Sequence, residues 1–434
     1  MKKISTALIF TFCISFILVN QSFANGVLRD SMGPVSGGRG GTNIAHIDNG
    51  ILIHDNPSAL TELNGKRVEA DFDFLALSMN YRDPQNDEDG EDILCFMPSL
   101  SYAQELAQGR FGVGFGVYHP AGFSTDYDLV HPIYGEQKYA SDACLTKILF
   151  GFGWKITDGM SLGIAAGPAY SKVKLEEPYT FQTGPLQGAT ALIDVEGDAW
   201  ALAWNIGAQW RISSDTTLGV AYHYQDKFEM RGNCDLDVTG SPLAALVPDP
   251  TAHYSKAEFD FTWPQSLGVG MTHRLKDGHR ISADVKWIDW SSAFDELTFK
   301  LSSGDNAGYD GLAQTSSPKD TVPLDWKDSY SFRLGYEYLL TMADTLHTLR
   351  FGYLYNRNPV PDSTLVPVIP GILEHVVSVG YGRNWKNWTF DVAYAYSFGS
   401  RQSVGTSKII GGDYDDSSVD IDGHLLRFGI QYHF

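Results

Sequence analysis

From Gly423 to Phe434 the chain reads GHLLRFGIQYHF, and its residues divide by parity. Leu426, Phe428, Ile430, Tyr432 and Phe434 fall on one face of an extended strand, and Arg427, Gly429, Gln431 and His433 on the other. Strand side chains alternate faces with a period of two, so one face is aromatic and apolar while its back is small, polar or charged. A soluble sheet can alternate in the same way. A transmembrane β-barrel does so with the apolar face toward lipid and the polar face toward a lumen. An aromatic row that runs to the last residue favours the barrel.

The pattern recurs. Phe390, Val392, Tyr394, Tyr396 and Phe398 oppose Asp391, Ala393, Ala395 and Ser397; Phe332, Leu334, Tyr336 and Tyr338 oppose Arg333, Gly335 and Glu337. Segments around Leu349–Tyr355, Ile281–Trp287 and Leu218–Tyr224 share this polarity. A soluble barrel would need an apolar interior, whereas here the second face carries Asp284, Lys286, Arg333, Glu337, Arg350, Asp391 and Arg427. The whole chain read this way predicts an all-β fold, a transmembrane antiparallel β-barrel of about fourteen strands.

The connections fall into two classes that alternate. Short turns are expected near Leu106–Gly109, Thr157–Gly159, Ser213–Asp215, Lys276–Gly278, Met342–Thr345 and Asn384–Asn387. Long segments are expected at Arg82–Ile93, Ser124–Ser141, Leu175–Glu196, Arg231–Ala257, Ser291–Lys327, Arg357–Ile372 and Gly399–Asp422. Short periplasmic turns and long extracellular loops are the rule for outer-membrane barrels.

The start of the chain agrees. Lys2 and Lys3 precede an apolar stretch from Ala7 to Val19, and Ser22-Phe23-Ala24 offers small residues for cleavage. Residues 1–24 read as a secretory signal peptide, too short to span a bilayer as a helix. Cys13 lacks the context of a lipoprotein signal, so no lipid anchor is expected. Cys95, Cys144 and Cys234 remain, an odd set that builds no disulfide framework, although one bridge is open to them. The formal charge of −20 excludes nucleic acid as a partner. Acidic residues such as Asp83, Asp87, Glu88, Asp89, Glu91 and Asp92 read as a solvated loop, with a divalent-cation site shared with lipopolysaccharide phosphates as the functional alternative.

Residues 25–66 do not fit the strand pattern. They are Gly-rich, then semi-helical, and they precede the first strand of the barrel domain, 67–434. A fourteen-strand lumen is wide enough to need filling. An N-terminal hatch folded inward, packing pairs such as Ile51/Ile53 and Leu60/Leu63, is the economical reading.

Here the chain resembles a known family. Gly38-Arg39-Gly40-Gly41 through Asn56-Pro57-Ser58-Ala59-Leu60 is similar to the start of the outer-membrane long-chain fatty-acid transporter family, which includes toluene-channel relatives. Asn56-Pro57-Ser58 stands where the family carries Asn-Pro-Ala. Gly122-Phe123-Ser124-Thr125-Asp126-Tyr127 resembles its Gly-x-x-Thr-x-Tyr segment. The resemblance implies passive import of hydrophobic compounds by extracellular capture, hatch movement and lateral exit beside a kinked third strand. Gly112, Gly114, Gly116, His119 and Pro120 are the residues it would place at that kink, because Pro in a ladder implies a bulge, edge or gap. Small residues making room for the hatch are the alternative role of the glycines.

Lys286, Arg333 and Arg350 are candidate contacts for a ligand carboxylate, the arginines favoured for their bidentate geometry; pairing with lumen acids is the competing role. Leu243, Leu246, Val247, Leu365, Val366, Val368 and Ile369 are candidates for an external apolar groove. His46 and His54 near Asp48 and Asp55 could suggest a metal, but read as polar hatch residues, and neither metal nor cofactor is expected. The chain carries no Gly-x-Ser-x-Gly, His-Glu-x-x-His or P-loop pattern, so an enzyme is not expected. The expected partners are a long-chain fatty acid or hydrocarbon, outer-membrane lipids and lipopolysaccharide, and the assembly machinery that reads Phe434. The protein is expected to be a monomer in a Gram-negative outer membrane. Aromatic hydrocarbon uptake is the runner-up function, followed by a general porin or a structural or adhesive barrel.

Overall fold

Half-apolar strands leave their backbone groups unsatisfied at any free edge in a bilayer, so the sheet must close on itself. The computed structural model describes residues 26–434, and the expected signal peptide lies outside the described residues. In chain order come β1 (Lys66–Arg82), β2 (Asp87–Asp89), β3 (Ile93–Leu106), β4 (Phe111–His131), β5 (Gly135–Thr157) and β6 (Met160–Thr180). Next are β7 (Thr190–Arg211), β8 (Thr216–His223), β9 (Asp226–Asp237), β10 (Thr251–Trp263), β11 (Ser266–Arg274), β12 (His279–Ile288) and β13 (Glu296–Gly304). The last are β14 (Lys319–Pro323), β15 (Ser329–Met342), β16 (Thr345–Asn356), β17 (His375–Trp385), β18 (Trp388–Phe398), β19 (Gln402–Ser403) and β20 (Ser418–His433).

β8 and β9 form one wall strand broken at Tyr224 and Gln225; β10 and β11 form another, broken at Pro264 and Gln265. With each pair counted once, antiparallel neighbours run β1, β3, β4, β5, β6, β7, β8/β9, β10/β11, β12, β15, β16, β17, β18 and β20. β20 then returns to β1, with Arg67 opposite His433 and Arg82 opposite Ser418. The barrel is closed and has fourteen strands. Its terminal strand is two-faced as the sequence implies: Leu426 and Phe428 are 42% and 43% exposed, and Arg427 is 2%. No helix among the described residues is long and apolar enough to cross a membrane.

The tight hairpin turns match their expected places. Asp277-Gly278 and Ala343-Asp344 hold positive φ at both residues, as two-residue hairpin loops require. The opposite end differs. The expected loops Ser124–Ser141, Leu175–Glu196 and Arg231–Ala257 are largely strand: β4 and β5 run on to a turn at 132–134, and β6 and β7 pair as far as Thr180 and Thr190. Above the lipid band the outward row turns charged, with Lys172 opposite Asp198 on β6 and β7 and Lys227, Glu229 and Arg231 on β9. The apolar alternation stops there while the backbone ladder continues.

Residues 26–65 fill the lumen, with short helices at Pro34–Gly38 and Leu52–Asp55 and a 3₁₀ turn at Pro57–Glu62. Leu52, Ile53 and Leu60 are fully buried and share one core with wall residues. Each contributes about 1.5–3 kcal/mol by leaving water. Cys95, Cys144 and Cys234 form no disulfide among the described residues.

Candidate functional site

The hatch sits on a belt of glycines that face the lumen. A Cβ on Gly163 would overlap the Pro57–Ser58 backbone, and one on Gly207 the Asn56 amide. On Gly219 it would strike Ile44, and on Gly352 the backbone of Gly40. Gly38 and Gly380 meet backbone to backbone. Of the third-strand glycines, Gly112 gives space to Leu60, Gly114 to Ile53, and Gly116 to the Tyr118 ring. Their geometry is thus that of a seat: they make room for hatch side chains and for one aromatic ring.

Asn56-Pro57-Ser58 forms the tightest part of that seat. The Asn56 carboxamide oxygen accepts from Ser58 N at 3.2 Å and from Ser58 Oγ at 2.6 Å, capping the 3₁₀ turn. Its Nδ2 donates to Ile44 O at 2.8 Å and reaches wall carbonyls of Ala208 and Val220 at 3.3 and 3.4 Å. Pro57 opens the turn, where its missing N–H is no loss. Thr61 Oγ1 and Ser161 Oγ lie 2.8 Å apart, and Thr42 Oγ1 and Ser282 Oγ 2.7 Å.

Buried charges hold the other half of the hatch. Arg39 is 1% exposed and donates to Asp48 at 2.9 Å, to Glu337 at 3.2 Å, and to the carbonyls of Thr42 and His46. Glu337 also accepts from Arg280 at 3.0 Å and from Arg350 at 3.1 Å, and Arg350 continues to Asp391 at 2.7 Å. His46, Asp48 and Glu337 bring donor atoms within 4.8 Å of one another, but three guanidinium groups already occupy them. This is an ion-pair network.

The three cations expected to meet a ligand carboxylate therefore differ. Arg350 is committed to Glu337 and Asp391, and Arg333 donates to the hatch carbonyl of Gly41 at 2.9 Å and to Ser331. Lys286 has neither a hydrogen bond nor an ion pair among the described residues; Asp55 and Asp284 are its nearby opposite charges. Its neighbourhood includes His54 and His223, with ring centroids 4.8 Å apart, and Lys147, which pairs with Asp226 at 2.6 Å.

β4 is kinked at His119-Pro120. Its register against β5 shifts between Tyr118 and Ala121, and its ladder with β3 ends at Leu100 opposite Val117. β3 residues 93–99 are therefore paired only with β1. The start of the hatch docks on the kink: Leu28 bridges Ala121, Arg29 N donates to Pro120 O at 3.0 Å, and Gly122 N to Val27 O at 3.0 Å.

The seven external-groove candidates separate. Val366, Val368 and Ile369 fold into the barrel mouth and line an apolar cavity with Phe123, Phe259 and Phe299, of about 90 Å³. Leu365 is buried beside them. Val368 O is fixed by Ser141 Oγ at 2.6 Å, so β5 holds this loop down. Leu243, Leu246 and Val247 lie instead on a 3₁₀ turn, where Val247 packs in a second cluster with Tyr254 and Tyr309 and Leu246 stays exposed. Tyr179 and Ile193 of that second cluster also line the cavity, so the two segments lie on either side of a shared wall.

Glu177 faces the same cavity, five residues beyond Lys172 and thus outside the lipid band. Its Oε2 accepts from Tyr414 OH at 3.0 Å. Burial pushes its carboxyl up to about 8; the Tyr414 bond opposes the rise and nearby Asp413 adds to it.

Residues 17–434 match the family model described as outer membrane protein transport protein (OMPP1/FadL/TodX). The chain belongs to that family. It is 22% identical to the long-chain fatty acid transport protein of Salmonella typhi, covering 78% of this chain and 76% of that one. Among solved structures it is similar to a FadL homologue of Pseudomonas aeruginosa, at a TM-score of 0.78 and 17% identity, over 94% of this chain and all of that one. The toluene transporter TodX of Pseudomonas putida aligns at a TM-score of 0.74 and 17% identity, over 95% of this chain and 100% of that one. Membership places this protein in the outer membrane, among transport proteins.

Sequence reading singled out neither Arg39 as the centre of the hatch network nor Glu177 at the cavity. An arginine between glycines in an otherwise uncharged segment was a usable signal for the first. The second had none, because Glu176-Glu177 reads as a charged loop.

Proposed function

We propose that this protein imports hydrophobic compounds passively, with long-chain fatty acids as cargo and no catalytic step. The observation that carries the reading is the apolar cavity at the extracellular mouth and its aromatic continuation inward. Phe261 lines the cavity and contacts Trp263 and Phe294 at 5.2 and 5.4 Å. Phe294 meets Trp290 edge-on and Trp326 at a tilt, and Gly26 of the hatch rests on these two tryptophans. Cargo that follows this path stays out of water, at about 0.8 kcal/mol per buried CH₂.

The cavity of about 90 Å³ is too narrow for an acyl chain until its loops move. The hatch start at Val27–Arg29 sits on the β4 kink, so cargo displacing it would uncover β3 residues 93–99, beyond the end of the β4 ladder, and leave sideways into the membrane. Lys286, without a hydrogen bond or ion pair among the described residues, is the lumen cation we assign to the carboxylate; the ties of Arg333 and Arg350 to hatch and wall make them structural in this reading. Similarity to both a fatty-acid and a toluene transporter fits a hydrophobic cargo. The small aromatic-walled cavity also suits a monoaromatic ring, and for such cargo Lys286 would be dispensable.

Uptake of oleate and of toluene, compared in cells with and without the gene, tests the proposal. Gene-dependent oleate uptake is expected, and no difference for any hydrophobic substrate would reject import.

A further inference from the structure

The geometry points to Glu177 as the group that reads the polar end of the cargo in the apolar cavity, selecting a head that is uncharged and accepts a hydrogen bond. A protonated carboxylic acid, an ester or a ketone qualifies, and a carboxylate does not. This rests on the import reading above and narrows its substrate class.

The cavity wall is almost wholly carbon: Val173, Leu175, Ile193, Phe259, Phe299 and Val368 surround it. Its ionisable members are few. Lys174 turns its ammonium to Asp194 at 3.2 Å and Glu176 at 3.4 Å. Asp413 accepts from Thr180 Oγ1 at 2.8 Å and lies 3.6 Å from His131 Nε2. His131 Nδ1 accepts from Ile133 N at 3.1 Å, so the ring is held by its own turn. Tyr179 and Tyr414 in the wall are phenols, with Tyr81 of β1 and Tyr139 of β5 behind Tyr414, and burial holds Tyr414 in its neutral form. An anionic head would therefore meet two acidic side chains, Glu177 and Asp413, and a single lysine already paired to other acids, in a low-dielectric pocket.

Glu177 supplies what an uncharged head needs. It is 7% exposed, Tyr414 takes its Oε2, and its carboxyl stays neutral below about pH 8. Its second oxygen, carrying the proton, is the donor for a carbonyl of the cargo. A fatty acid would thus be taken up as the neutral acid and reach Lys286 only deeper in the lumen.

The test uses purified full-length protein in detergent with two matched probes, a pyrene-labelled decanoic acid and its methyl ester, followed by fluorescence at pH 5.5, 7.5 and 9. At pH 7.5 the ester is expected to bind about tenfold more tightly than the acid. The ester should weaken between pH 7.5 and 9 in the wild type and stay constant in Glu177→Gln, whose amide donates at every pH. Glu177→Lys should reverse the preference toward the acid. Correct folding of each variant is checked by heat-modifiable electrophoretic mobility. Equal binding of both probes with no response to Glu177→Lys would overturn the assignment and leave import standing. Binding of neither probe by the wild type would overturn both.

Discussion

The Asn56 carboxamide occupies the space that a side chain on Gly207 would need. The hatch is therefore keyed to its wall by shape. Gly207→Val overfills that contact at a cost of about 1–3 kcal/mol, against a hatch held by many small contacts. The expected phenotype is a leaky barrel, with more single-channel current and faster uptake of large polar antibiotics. Gly311→Ala, at a glycine with open space around it, should behave as wild type.

Glu337 is the acceptor shared by Arg39, Arg280 and Arg350. Glu337→Ala leaves these buried cations short of a partner, and removing one member of a buried pair costs about 3–5 kcal/mol. Amide hydrogen exchange over residues 34–62 should accelerate accordingly, while exchange in β5 and β6 stays slow.

If Lys286 receives the carboxylate, Lys286→Met should lower oleate uptake about tenfold and leave toluene uptake unchanged. Equal loss of both would mean the residue supports the barrel and not the ligand.

pH bears on the cavity rim through Glu177. Its carboxyl is raised from an ordinary 4.5 to about 8, so between those values the folded state binds more protons than the unfolded one. The closed rim is then most stable at low pH and loses stability as pH rises toward 8. Limited proteolysis of the 399–417 loop should quicken over that window in the wild type and stay flat in Glu177→Gln.

The barrel itself was legible because lipid imposes a strict parity: Phe428 faces out and Arg427 in, and five or more strands repeat that choice. The strand extensions above the bilayer were not, since Lys172 opposite Asp198 obeys no apolar rule and only the ladder reveals a strand. Asn56-Pro57-Ser58 was visible as a motif, but its partners Gly163 and Gly207 were not, because a glycine does not announce which segment will fill its space. The lumen cations show the same limit. Arg350, Arg333 and Lys286 look alike along their strands, and only the fold commits two of them to acids and hatch carbonyls.

Locking the hatch tests the central claim most directly. Thr61→Cys with Ser161→Cys, and Thr42→Cys with Ser282→Cys, place thiols where hydroxyls now meet at 2.8 and 2.7 Å, in a background with the three native cysteines replaced. Uptake of a fluorescent fatty acid into cells is measured before and after reduction. Movement of the hatch during import requires that uptake stop in the oxidised form and return on reduction. Uptake at the wild-type rate with both crosslinks formed would contradict the account.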